Sequence, residues 1–135
     1  MSADSVWLGL RTLVLDRHDR RAEVTAALGL SFVRVKALRM VADQPLTMRT
    51  LAERLATDPP YVTVMVADLV ARGLVTREPH PDDRRARLVT ITPAGASAAA
   101  EADRILGTAP EPLRALDAAD LATLSRIVTR LLSHP

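Results

Sequence analysis

The chain has 135 residues, 48% hydrophobic and 25% charged, a length and balance that predict one globular domain and exclude a disordered one. It has no cysteine, which excludes disulfides, zinc–thiolate sites and thiol redox sensing. The net charge of +2 is a weak global sign of nucleic-acid binding, but Arg72, Arg77, Arg84, Arg85 and Arg87 fall close together, and a local basic cluster is the stronger sign.

The first turns lack the basic-then-apolar layout of a signal peptide. No apolar run approaches the ~18 residues that a membrane span needs. The expected setting is therefore cytoplasmic, with no membrane partner. Trp7, Phe32 and Tyr61 are the only aromatic residues, so a base-stacking platform for single strands is not expected.

Taken in order, Ser5 to about Ala27 predicts a first helix. Trp7, Leu10, Val14, His18 and Ala22 recur on one face, and charged residues crowd the rest. So thin an apolar stripe suits packing against another chain. Gly29 breaks this helix and Ser31 can cap the next, Phe32 to Ala42, whose apolar positions include Val35, Leu38, Met40 and Val41. Thr47 is a good N-cap for a short helix over Met48 to Leu55, with Leu51, Ala52 and Leu55 on its buried face. A fourth helix starts at Asp58 to Pro60, with Asp58 or Pro59 as its cap, and runs to Arg72. Val62, Met65, Val66, Leu69 and Val70 make its buried stripe, leaving Tyr61, Thr63 and Val64 on other faces.

Gly73 stops the fourth helix. Leu74 to Pro79 and Arg87 to Ile91 then read as two strands around a polar tip, His80-Pro81-Asp82-Asp83-Arg84-Arg85. Two short helices, the second exposing its N-terminal residues, followed by a hairpin, make a winged helix-turn-helix. Thr92-Pro93 opens a fifth, alanine-rich helix to about Leu106, and Gly107, Pro110 and Pro112 interrupt it. Asp117 caps a last helix to about Leu132, where Leu121, Leu124, Val128 and Leu131 recur on a heptad-like stripe that Ile127 and Leu132 widen. The fold class is mainly α with a small β-hairpin wing. A winged helix-turn-helix lobe over residues 31–92 joins a helical dimerisation region over 5–28 and 93–133, all within one domain, 1–135.

The whole chain resembles the MarR family of winged-helix transcription regulators. The resemblance rests on the wing, Asp82-Asp83-Arg84-Arg85-Ala86-Arg87 followed by Leu88-Val89-Thr90-Ile91-Thr92-Pro93-Ala94-Gly95. Arg72-Gly73-Leu74-Val75 before the wing and Gly29-Leu30 before the second helix add to it. One departure stands out: the family often carries Thr-Arg near the start of the fourth helix, and here Thr63 is followed by Val64. The resemblance implies an obligate homodimer whose first, fifth and sixth helices interlock. The fourth helices would then enter successive major grooves of a palindromic double-stranded operator, about 34–36 Å apart. It also implies a pocket for a small aromatic or anionic ligand.

Each candidate has a bland reading beside the functional one. Arg84, Arg85 and Arg87 are either a solvated hairpin tip or a set of phosphate and minor-groove contacts. The family match favours contact. Asp82 suits a turn, and its carboxylate can also hold Arg84 or Arg87. Tyr61 and Thr63 are oddly polar for a core, which favours base or phosphate contact. Val64 touches a thymine methyl or is simply exposed. Thr47 is a cap first and a phosphate contact second. Arg49, Pro60 and Arg77 complete the DNA-facing set. For the ligand pocket, His18 interrupts the apolar face of Val14 and Ala22, and Arg17 and Arg34 are cations for an anionic ligand. A satisfied interface histidine and ordinary surface charges are the bland alternatives.

No Gly-rich phosphate loop, paired metal-ligand motif or nucleophile–base constellation is present, so no enzyme, cofactor or metal site is expected. The leading expectation is a homodimeric, sequence-specific DNA-binding regulator, a repressor released by a small-molecule effector. The alternative is an architectural winged-helix protein that binds DNA without an effector. A winged helix used only for protein contacts would leave the basic tip unexplained.

Overall fold

The computed structural model describes residues 1–135. Helix α1 (Ala3–Arg11) opens with Ser2 and Ser5 each accepting the other's backbone N–H. It passes directly into a π-helical turn, Thr12–Arg17, in which the His18 N–H reaches five residues back to the Leu13 carbonyl at 3.0 Å. The single helix expected over Ser5 to Ala27 is thus two. Helix α2 (Arg20–Leu28) starts afresh because the Asp19 carboxylate accepts the N–H groups of Arg21 and Ala22 at 3.0 and 3.3 Å. Those bonds satisfy donors that the first turn of a helix leaves free. The apolar spacing runs through the break, so periodicity alone does not reveal it.

Gly29 ends α2 in the left-handed conformation (φ 64°). The Ser31 hydroxyl then caps α3 (Phe32–Asp43). A two-residue strand, β1 (Leu46–Thr47), which the sequence reading did not anticipate, leads into α4 (Met48–Leu55). Ala56 closes α4 at φ 51°, a left-handed position held by a residue with a Cβ. Helix α5 (Pro59–Ala71) follows, with Asp58 rather than Pro59 as its cap and two prolines in its first turn.

The wing comprises β2 (Val75–His80) and β3 (Asp83–Ile91), and β3 is central in the antiparallel order β1-β3-β2. Its turn is only Pro81-Asp82, so Arg84 and Arg85 belong to a strand and not to the tip. Pro79 pairs with Arg87, yet His80 pairs with Asp83, so Arg84 to Ala86 bulge out of the ladder. Helix α6 (Pro93–Gly107), the single turn α7 (Glu111–Arg114) and α8 (Ala118–Leu132) complete the chain.

One core joins 18 buried apolar residues, from Val24 in α2 to Ile105 in α6. Leu38, Leu51, Met65 and Leu69 are its largest fully buried side chains, each worth about 1.5–3 kcal/mol of transfer free energy. Two expected members fall outside it: Val70 is exposed and Leu55 only half-buried. Neither α1, the π-helical turn nor α8 buries a single residue. Yet these segments display Trp7 at 63% exposure and Leu131 at 60%. No helix is long and apolar enough to cross a membrane.

The root of the wing is locked to α6. The Thr92 hydroxyl donates to the Gly73 carbonyl at 2.6 Å and accepts the Gly95 N–H at 3.0 Å, while the Thr92 N–H donates to the Leu74 carbonyl at 3.1 Å. Gly95 allows this approach, since a Cβ there would lie 1.9 Å from the Leu74 carbonyl oxygen.

Candidate nucleic-acid interface

Helices α4 and α5 pack around Leu51, Ala52, Val62, Met65 and Val66, all buried. That packing leaves a second face of α5 in solvent. Tyr61 is 40% exposed and Val64 is 62% exposed, while Pro60, Thr63 and Ala67 are exposed beside them. The Asp58 carboxylate accepts the Tyr61 N–H at 2.8 Å and fixes the helix start. The Thr63 hydroxyl donates to the Pro59 carbonyl at 3.1 Å, so its proton is already used within the helix. Thr47 is half-buried and spends its hydroxyl on Thr50, accepting that residue's N–H at 3.1 Å and donating to its hydroxyl at 3.0 Å. Arg49 points outward from α4, its Nε 3.3 Å from Glu53 across an exposed pair of little strength.

The wing carries a cluster of four unpaired cations. Arg77, Arg84, Arg85 and Arg87 are all exposed and none has a carboxylate within ion-pair distance. The bulge places Arg84 and Arg85 where the ladder makes no backbone demand on them. Asp82 lies in the turn, as its residue type suggests, but its carboxylate holds neither Arg84 nor Arg87. Its N–H instead donates to His80 Nδ1 at 3.0 Å, and it is Asp83 that accepts the Arg85 N–H, at 3.0 Å.

Arg72 leaves the basic cluster that the sequence suggested. Its Nε donates to Asp68 at 3.1 Å and its Nη1 to the Gly29 carbonyl at 3.3 Å. Arg34 donates to the same Asp68 oxygen at 2.8 Å. Partial desolvation pushes the Asp68 carboxyl up, but Arg72 and Arg34 outweigh it and hold the group below its usual range. This clamp ties α3 to α5 and to the end of α2. Arg34 and Asp68 lie 34 residues apart in sequence and no local pattern announces their pairing, while Arg72 sits at the i,i+4 spacing from Asp68.

The four residues expected around a ligand do not converge. Val14 and His18 line a cavity of about 610 Å³ with Leu13, Leu113, Leu124 and Val128. Arg17 lines a separate, shallower groove along α1. Arg34 is engaged with Asp68 and lines neither. Arg20, which the sequence reading passed over, is the cation at the cavity; its Nε donates to the Thr108 carbonyl at 3.2 Å and its Nη1 pairs with Glu23 at 2.9 Å.

Residues 28–86 match the MarR family. An uncharacterised HTH-type transcriptional regulator of Mycobacterium leprae is 36% identical over 90 residues, 66% of this chain and 62% of that protein. The chain thus spans less than two thirds of the length of the curated relatives it matches. Wild-type apo MarR from Escherichia coli superposes with a TM-score of 0.77 at 24% identity, over 98% of this chain and 97% of that one. YusO from Bacillus subtilis gives 0.82 at 21% identity over the whole of both chains. At these identities the two structures speak to the fold.

Proposed function

Because the chain belongs to the MarR family, we propose that it is a DNA-binding transcription regulator acting as a homodimer on a palindromic duplex. The observation that carries this reading is the wing, where four exposed arginines without carboxylate partners stand beside an exposed helix face. Free guanidinium groups on a narrow ribbon suit phosphates and the negative minor groove, and α5 has the dimensions of a major-groove reader. The second copy is supported by the bare apolar faces of α1 and α8, which nothing in one chain covers.

The regulator is a repressor released by a small effector in the cavity beside His18 and Arg20. Apolar walls with one histidine and one arginine suit an aromatic or anionic molecule. Selection from a random duplex pool tests the reading: the protein enriches an inverted repeat with half-sites about one turn apart. Recovery of no preferred duplex overturns it. Uniform affinity for all duplexes would support an architectural role instead.

A further inference from the structure

Helix α5 presents an unusual surface for a DNA reader, and this inference rests on the reading just given. The helix has one charged side chain, Asp68, and the clamp with Arg34 and Arg72 consumes it. It holds no Arg, Lys, Asn or Gln, the side chains that grip guanine or adenine edges in a bidentate way. The Thr63 hydroxyl proton is turned back onto Pro59. What remains outward is mostly apolar: Val64 at 62% exposure, flanked by Pro60 and Ala67, with the Tyr61 phenol one turn earlier as the polar exception. The cations that would attract the backbone are carried by other elements, Arg49 on α4, which borders one groove with Thr63, and the four wing arginines on β2 and β3. A rim of cations outside an apolar helix face complements a groove whose phosphates are outside and whose floor carries an apolar group. In the major groove that group is the thymine C5-methyl.

We infer that α5 reads thymine methyl groups by apolar contact through Val64, and that the half-site facing it is specified by A·T pairs rather than by guanine. Val64 is the specificity-determining residue, and affinity comes from the rim. Burying one methyl-sized group is worth about fourfold in binding.

The test uses the full chain and the duplex recovered by selection. Each thymine of a half-site is replaced in turn by deoxyuridine, which deletes the methyl and nothing else. One or two positions lose about fourfold each, rising to about fifteenfold when both half-sites are changed. In Val64→Ala the loss at those positions shrinks, because two of the three contacting carbons are gone, while the melting temperature stays at or above that of the wild type because alanine is the better helix former. A preferred duplex that tolerates deoxyuridine at every position overturns the inference and leaves the DNA-binding reading standing. So does a deoxyuridine penalty unchanged in Val64→Ala. Recovery of no preferred duplex overturns both.

Discussion

The middle and the ends of this chain are equally supplied with apolar residues and use them in opposite ways. Every core member lies between Val24 and Ile105. The arms, residues 3–17 and 111–132, bury none, although they carry Val6, Trp7, Leu8, Leu121, Ile127 and Leu131. Helix α8 packs extensively against no other element. An isolated 15-residue helix is marginal in water, and its stability normally comes from burying one face. The middle of the chain thus holds the whole core, and the arms leave apolar faces that the proposed second copy would cover.

Four changes break or sharpen that contrast. Arg84→Ala gives the largest effect on function with the least on structure. The side chain is exposed and unpaired, and loss of a good base or groove contact costs about 1–3 kcal/mol per subunit. With two wings, specific binding falls by about two to four orders of magnitude, measured against the wild type at one salt concentration while the melting curve is unchanged. Ile127→Asp strikes the arms. It removes nothing from the core, since Ile127 is 41% exposed in the single chain. Two copies bring two unpaired carboxylates into the seam, at about 2 kcal/mol each. Sedimentation equilibrium then shows the dimer weakened, with a dissociation constant raised about a thousandfold. A folded wild-type monomer at low micromolar concentration would erase the distinction between lobe and arms.

Gly95→Ala strikes the lobe. Its Cβ would need space that the Leu74 carbonyl occupies at 1.9 Å and the Ile91 side chain at 2.7 Å. Backbone must move, and denaturant unfolding should show a loss of about 3 kcal/mol. The smallest effect is a pH dependence. Asp68 has a folded pKa below its unfolded value, so the clamp contributes stability that is present above about pH 4 and lost as pH falls through the folded pKa. Wild type and Asp68→Asn differ in thermal stability at pH 7 and converge in acid. Parallel curves down to pH 2 would show that the clamp is not what Asp68 contributes.

Much of the lobe was legible because its signals are local. Ser31, Thr47, Asp58, Thr92 and Asp117 are the expected caps, and each accepts a backbone N–H from the first turn of its helix. The exposure of Arg84, Arg85 and Arg87 was legible by the same route, through residue types in an ordered wing motif. Four features were not. The break at His18-Asp19 is masked because the apolar period continues across it. The bulge at Arg84 to Ala86 depends on cross-strand register, which no single strand encodes. Arg34 reads as a free cation because its partner, Asp68, is brought to it by the packing of α3 on α5, whereas the Arg72–Asp68 pair is local and its i,i+4 spacing was there to be read. The ligand set is split for a simpler reason: Arg17 and His18 are neighbours in the chain, but adjacent residues of a helix do not share a face, and they line different grooves.

The joint at Thr92 makes the wing and α6 one mechanical piece. Three hydrogen bonds through a single residue, with a glycine seated against a carbonyl, leave no hinge between them. Helix α6 has 15 residues and is about 22 Å long. Its far end, Leu106-Gly107, borders the arm cavity with Leu13 and Val14. It is a stiff lever with the arginines of β3 fixed at one end and the arms at the other. A tilt of about 5° displaces one end by about 2 Å relative to the other for a rod of that length, enough to lift a guanidinium out of hydrogen-bond range of a phosphate.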